Sequence, residues 1–219
     1  MARQICVIVP LVGLMLLAGA VGADTYSGTL EYDTGLDATL NWADTDLPTS
    51  ISWVVSRNPN GSWHYEYTLA TPGPAISHWI LELTDPVFEG DLLNFSGDYN
   101  KTETKLHAAG PGNPNMPEDV YGIKFEWDEG GNSETISFDS WRLPVWQDFY
   151  AKCGGQVNTV WNLGFTAGDT DPLDPPRDGS IDDHILAPDG YVPEPATTAL
   201  FGLGLAGLIG ARLRRRREN

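Results

Sequence analysis

Six aspartates crowd a short stretch of this chain: Asp169, Asp171, Asp174, Asp178, Asp182 and Asp183, with Gly168 and Gly179 beside them. Calcium takes several carboxylate oxygens from a flexible loop, so this composition could hold the ion. The spacing misses the EF-hand pattern, because Leu173 stands where a third alternating acid belongs and no glutamate closes the loop. The expectation is a solvated acidic loop, with no metal. Calcium on Asp169, Asp171, Asp174, Asp178 and Asp182 is the alternative.

The other candidates are histidines, paired acids and aromatic rings. His64, His78, His107 and His184 stand in no metalloprotease or nucleophile-elbow frame. With so many carboxylates, two will approach each other by chance, so a glycosidase pair has little specificity. No catalytic residues and no cofactor are expected, and an unrecognised secreted hydrolase is the remote alternative. The chain has 8 tryptophans and 8 tyrosines. Most fall on the apolar side of alternating segments, where rings fill a core. Trp42, Trp141 and Trp161 are less clearly inward and are the candidates for sugar stacking.

The elements that must position these residues are strands. Ile51, Trp53 and Val55 share a face, as do Trp63, Tyr65, Tyr67 and Leu69. Trp79, Leu81 and Leu83 alternate with His78, Ile80 and Glu82; Ile123, Phe125 and Trp127 with Lys124 and Glu126; Ile136 and Phe138 with Ser137 and Asp139. Trp146, Asp148 and Tyr150 oppose Val145, Gln147 and Phe149. Period-two alternation between Gly/Pro/Asn turns predicts an all-β domain, an antiparallel β-sandwich with a jelly-roll variant within that class. Asn58-Pro59-Asn60-Gly61 predicts a hairpin joining Ile51–Ser56 to Trp63–Leu69. The expected boundaries are 1–23, 24–168 for the β-domain, 169–191 for an irregular acidic loop and linker, and 192–217 for the tail.

Charge excludes one partner class. From Asp24 to Ala211 there are 7 basic against 29 acidic residues, a net charge of −22. Such a surface repels nucleic-acid phosphate, whose binding rests on Lys and Arg. Cys6 lies in the amino-terminal segment, leaving Cys153 alone and the body without an internal disulfide.

Both ends carry addresses. Arg3, the apolar run Ile5–Leu17 and the small residues Val21-Gly22-Ala23 predict a secretory signal peptide cut between Ala23 and Asp24, hence passage through the Sec export machinery. At the far end Val192-Pro193-Glu194-Pro195 must be extended, because each proline fixes φ and restricts the residue before it. Ala199 to Ala211 is a run of 13 residues without charge. That is short of the ~20 needed to span a bilayer, a gap that arginine snorkelling and local thinning can close. Arg212, Arg214, Arg215, Arg216 and Arg217 then predict a stop with the C-terminus in the cytoplasm.

The Pro-Glu-Pro strip, apolar helix and arginine cluster together resemble the PEP-CTERM sorting tail of exported bacterial proteins. The resemblance implies recognition and cleavage by an exosortase, a transient inner-membrane anchor, and delivery to the cell surface or extracellular matrix. The body segments Trp63–Leu69, Ile76–Leu83, Pro144–Lys152 and His184–Asp189 resemble a group of such proteins whose body has no assigned activity. A structural or adhesive body is expected, with binding of envelope exopolysaccharide as the alternative.

Overall fold

The computed structural model describes residues 24–84, 90–154, 158–166, 168 and 170–189. The segment expected to be a signal peptide, 1–23, and the whole tail from Val192 lie outside the described residues. Thirteen strands follow in order: β1 (Thr25–Glu31), β2 (Leu36–Ala38), β3 (Ser50–Arg57), β4 (Trp63–Ala70), β5 (Ile76–Glu82), β6 (Leu92–Ser96), β7 (Lys101–His107), β8 (Val120–Glu126), β9 (Ser133–Ser140), β10 (Pro144–Gln147), β11 (Phe149–Cys153), β12 (Thr159–Asn162) and β13 (Ile185–Pro188). One 3-10 turn, Leu40–Trp42, follows β2. No α-helix occurs among the described residues, and none of their helices is long and apolar enough to cross a membrane.

The strands form a five-stranded sheet, β1-β3-β4-β9-β6, a six-stranded sheet, β2-β12-β11-β5-β8-β7, and a β10-β13 pair. Every named pair is antiparallel. The Asn58–Gly61 hairpin forms as its residues dictate. Gly61 takes a positive φ of 95°, Asn58 N–H donates to Ser62 O at 2.8 Å, and Ser62 N–H donates to Asn60 Oδ1. That turn sets Trp53 opposite Tyr67 and Val55 opposite Tyr65.

Because side chains alternate across a strand, this register sends one set of rings inward. Trp53, Tyr65, Tyr67 and Phe138 of the first sheet and Trp79, Phe125 and Phe149 of the second are fully or almost fully buried in one cluster. The two inner faces touch: Tyr67 meets Trp79 edge-on with ring centroids 6.0 Å apart, and Phe125 stacks on Phe138 at 6.5 Å. The Tyr67 hydroxyl stays satisfied by donating to Leu186 O at 2.8 Å. Gly28 faces this layer at close range, since a Cβ there would lie 2.1 Å from the Trp53 ring.

Part of the outer side of the six-stranded sheet is covered too. Ile80, Met116, Val120, Tyr150 and Phe165 form a second buried cluster, with Trp161 packed against it. Alternation breaks down over Trp146–Tyr150, where all five residues are buried: Tyr150 joins this outer cluster, while Trp146 and Phe149 join the main core. Period two is a signal of one wet face, and here both faces are dry.

Two further departures follow from tertiary contacts. Within the segment expected to be irregular, Ile185–Pro188 forms β13, which pairs with β10 and places Ile185, Leu186 and Ala187 in the core. Trp42, one of the candidates for exposure, is fully buried and donates Nε1–H to Pro74 O at 3.0 Å.

Candidate functional site

The densest polar cluster lies where the acidic segment crosses the end of the six-stranded sheet. Asp148 sits between β10 and β11, and its backbone is locked to the last residue of β5. Glu82 N–H donates to Asp148 O at 3.0 Å, and Asp148 N–H donates to Glu82 Oε2 at 2.9 Å. Asn162, fully buried at the end of β12, donates from Nδ2 to Asp148 Oδ1 and accepts Phe149 N–H at 3.0 Å. Asp148 is therefore held from two strands, its backbone by β5 and its carboxylate by β12.

His184 arrives from the opposite direction. Asp182 and Asp183 both take left-handed backbone (φ 47° and 61°), which short acidic side chains tolerate. The turn brings His184 N–H to 2.9 Å from Ile181 O, with Nδ1 3.3 Å from the same carbonyl. Nδ1 is placed to donate to that carbonyl, which leaves Nε2 as the nitrogen turned toward the carboxylates. Nε2 makes no hydrogen bond, although the residue is only 3% exposed. It points at two carboxylates: Asp148 Oδ1 at 3.5 Å and Asp171 Oδ1 at 3.7 Å. Asp171 reaches in from the acidic segment, and Gln147 Nε2 donates to its Oδ2 at 3.4 Å and to Thr84 Oγ1 at 3.2 Å. Gln147 Oε1 is buried without a partner.

Charge crowding has a measurable consequence. Burial first, then the Asp171 and Asp148 carboxylates, push the Glu82 carboxyl up to about 9. Glu82 thus favours its neutral acid form at neutral pH, because a further negative charge beside Asp148 and Asp171 is poorly solvated.

The cluster differs from the calcium loop considered from the sequence. Of that set, Asp171 alone joins it among the described residues. Asp174 is exposed; Asp178 accepts Ser27 N–H at 2.9 Å; Asp182 is exposed and shapes the turn; Asp169 lies outside the described residues. Sequence reasoning missed Asp148, Glu82 and His184 as a group, because 102 positions separate the first from the last of them and only strand pairing unites them.

A second feature is a groove of about 620 Å³ lined by His78, Lys105, Lys124, Lys152, Asn113 and Glu126, among others. All four lysines of the chain lie on β7, β8 and β11 of this sheet. Burial first, then Lys152 and Lys124, hold the His78 imidazole down at about 4. Lys124 pairs with Glu126 and Glu103, and Lys152 Nζ donates to Gly112 O at 2.8 Å.

Among the stacking candidates, Trp42 is buried, Trp161 is half-buried against the second cluster, and Trp141 is 42% exposed. Cys153 is buried, and its Sγ accepts a hydrogen bond from Asn158 Nδ2 at 3.4 Å. At the signal boundary Ala23 lies outside the described residues, while Asp24 is exposed with its carboxylate 3.9 Å from Arg57. Val192, Pro193, Glu194, Pro195, Arg212 and Arg214–Arg217 also lie outside them.

No curated protein and no solved structure matches the chain. A family model does match, the PEP-CTERM protein-sorting motif, over residues 192–216. The motif implies an exported protein, transiently anchored in a membrane and processed by an exosortase. The β-rich body is thus followed, from residue 192 to 216, by a PEP-CTERM protein-sorting motif.

Proposed function

We propose that this protein is a non-catalytic antiparallel β-sandwich delivered to the cell surface or extracellular matrix, where its body has a structural or adhesive role. The single observation behind this reading is the sorting motif at residues 192–216. Two sheets sharing one aromatic core support the sandwich, with the jelly-roll variant as its finer form. The amino-terminal segment directs export through the Sec machinery. The apolar run halts in the inner membrane with the arginines in the cytoplasm. Val192-Pro193-Glu194-Pro195 is then presented outside, where an exosortase cuts.

The test is processing in a host that carries an exosortase. Pro193→Ala with Glu194→Ala should leave an uncut, membrane-bound precursor, and replacing Arg214–Arg217 by Ser should weaken membrane retention. Normal processing of the first variant, or a soluble cytosolic full-length chain, would overturn the reading.

One observation favours a second reading, an exopolysaccharide-binding body. In a body of net charge −22, the four lysines gather on one sheet beside an open groove. A polysaccharide bearing carboxylate sugars suits such a groove. Binding to alginate that is lost in Lys124→Ala/Lys152→Ala would support it, and binding unchanged in that variant would exclude this groove.

A further inference from the structure

The His184 cluster is built in a way that a purely structural contact does not require. A buried imidazole with Nδ1 on a carbonyl turns Nε2, which has no hydrogen-bond partner, toward two carboxylate oxygens. Two carboxylates gathered around one buried nitrogen call for a positive charge among them. The Asp148, Asp171 and His184 ligand atoms all lie within 4.8 Å of one another.

We propose that His184 Nε2, Asp148 Oδ1 and Asp171 Oδ1 bind one divalent zinc ion, which clamps residues 170–184 to the β-body. Zinc bonds nitrogen and carboxylate oxygen at ~2.0–2.2 Å, which places tetrahedral neighbours about 3.4 Å apart. The separations of 3.5 and 3.7 Å from Nε2 sit close to that spacing. The donor set selects the ion: imidazole suits zinc, whereas calcium takes oxygen ligands. The outer contacts have the form that metal sites use, with Nδ1 of His184 on Ile181 O and Asn162 on Asp148. His184 and Asp148 side chains are 4% exposed, while Asp171 is 32% exposed, so the ion enters from the Asp171 side. A water on that side completes four ligands.

Clamping has a physical purpose. Asp148 belongs to the sheet, whereas Asp171 and His184 bracket an Asp/Pro/Gly-rich stretch with few apolar residues to hold it down. One ion joining the three closes that stretch onto the body, and binding energy becomes folding energy. The site is independent of the sorting tail.

The experiment uses the full-length chain without a polyhistidine tag, purified in detergent, stripped with EDTA and titrated calorimetrically with Zn²⁺, Mn²⁺ and Ca²⁺. Zinc should bind at one equivalent and raise the melting temperature. Asp171→Asn, on the exposed side where folding is least at risk, should weaken zinc at least tenfold, as should His184→Gln. Asp174→Asn, from the same segment, should bind as the unaltered chain does. No zinc heat and no thermal shift would overturn the proposal. Zinc binding unchanged in both Asp171→Asn and His184→Gln would also overturn it, as would calcium binding in preference to zinc.

Discussion

The guanidinium of Arg142 donates from Nη1 to the carbonyl oxygen of Asp189 at 2.8 Å, at the end of the described body and three residues before the sorting motif begins. The same side chain, fully buried, donates to Asp91 Oδ2 at 2.7 and 3.2 Å and to Thr84 O at 3.0 Å. One cation therefore gathers three chain segments where the tail departs. Removing one partner of a buried pair leaves the other without compensation and costs about 3–5 kcal/mol. Arg142→Met should lower stability by that order in urea unfolding. A loss below about 1 kcal/mol would mean that water replaces the guanidinium at little cost.

Gly164 tests the seat of His184. A Cβ at position 164 would lie 2.3 Å from Asp182 O and 2.5 Å from the His184 ring. The carbonyl is backbone and cannot swing away, so Gly164→Ala must displace the turn. A cost of about 1–3 kcal/mol is expected, as for other overpacked sites. Equal melting temperatures of the two proteins would contradict this contact.

Two buried groups set opposite pH slopes. Glu82 titrates near 9 when folded, against 4.5 as its ordinary value. Between those values the folded chain holds the extra proton, so stability falls as pH rises through that window. His78 titrates near 4 against an ordinary 6.5, so its contribution is present above 6.5 and is lost as pH falls toward 4. In chelator, Glu82→Gln should therefore gain stability over the unaltered chain at about pH 8 relative to about pH 4.5. His78→Gln should flatten the acid limb instead. Parallel stability curves for all three proteins would refute both assignments.

Trp42 and Trp141 separate core from surface. Trp42 is fully buried and hydrogen-bonded, so Trp42→Ala should cost about 3–5 kcal/mol. Trp141 is 42% exposed, so Trp141→Ala should stay within about 0.5 kcal/mol in thermal unfolding. Similar losses for the two would place Trp141 in a packed environment.

The strands that alternate cleanly were legible beforehand, because one buried face imposes period two on the residues themselves. β4 is the plain case, with Trp63, Tyr65, Tyr67 and Leu69 all inward. The hairpin before it was equally legible, since Gly61 supplies the positive φ its turn needs. β1, with only Leu30 buried, and β6, with no residue buried, lack that signal. Trp42 misled for a related reason: a ring on a 3-10 turn follows no strand parity, and its burial depends on Pro74, 32 residues away.

By itself the sequence carried the sorting motif of an exported protein and the all-β class of its body. Prolines, an apolar run and arginines act locally, and alternation with turn residues is local too. Only the tertiary structure decided which acids meet. Asp148 looks like any strand-end residue and His184 like any solvated histidine until antiparallel pairing and a left-handed turn bring them to 3.5 Å. Contacts of that range are set by the register of whole sheets, which no single segment encodes.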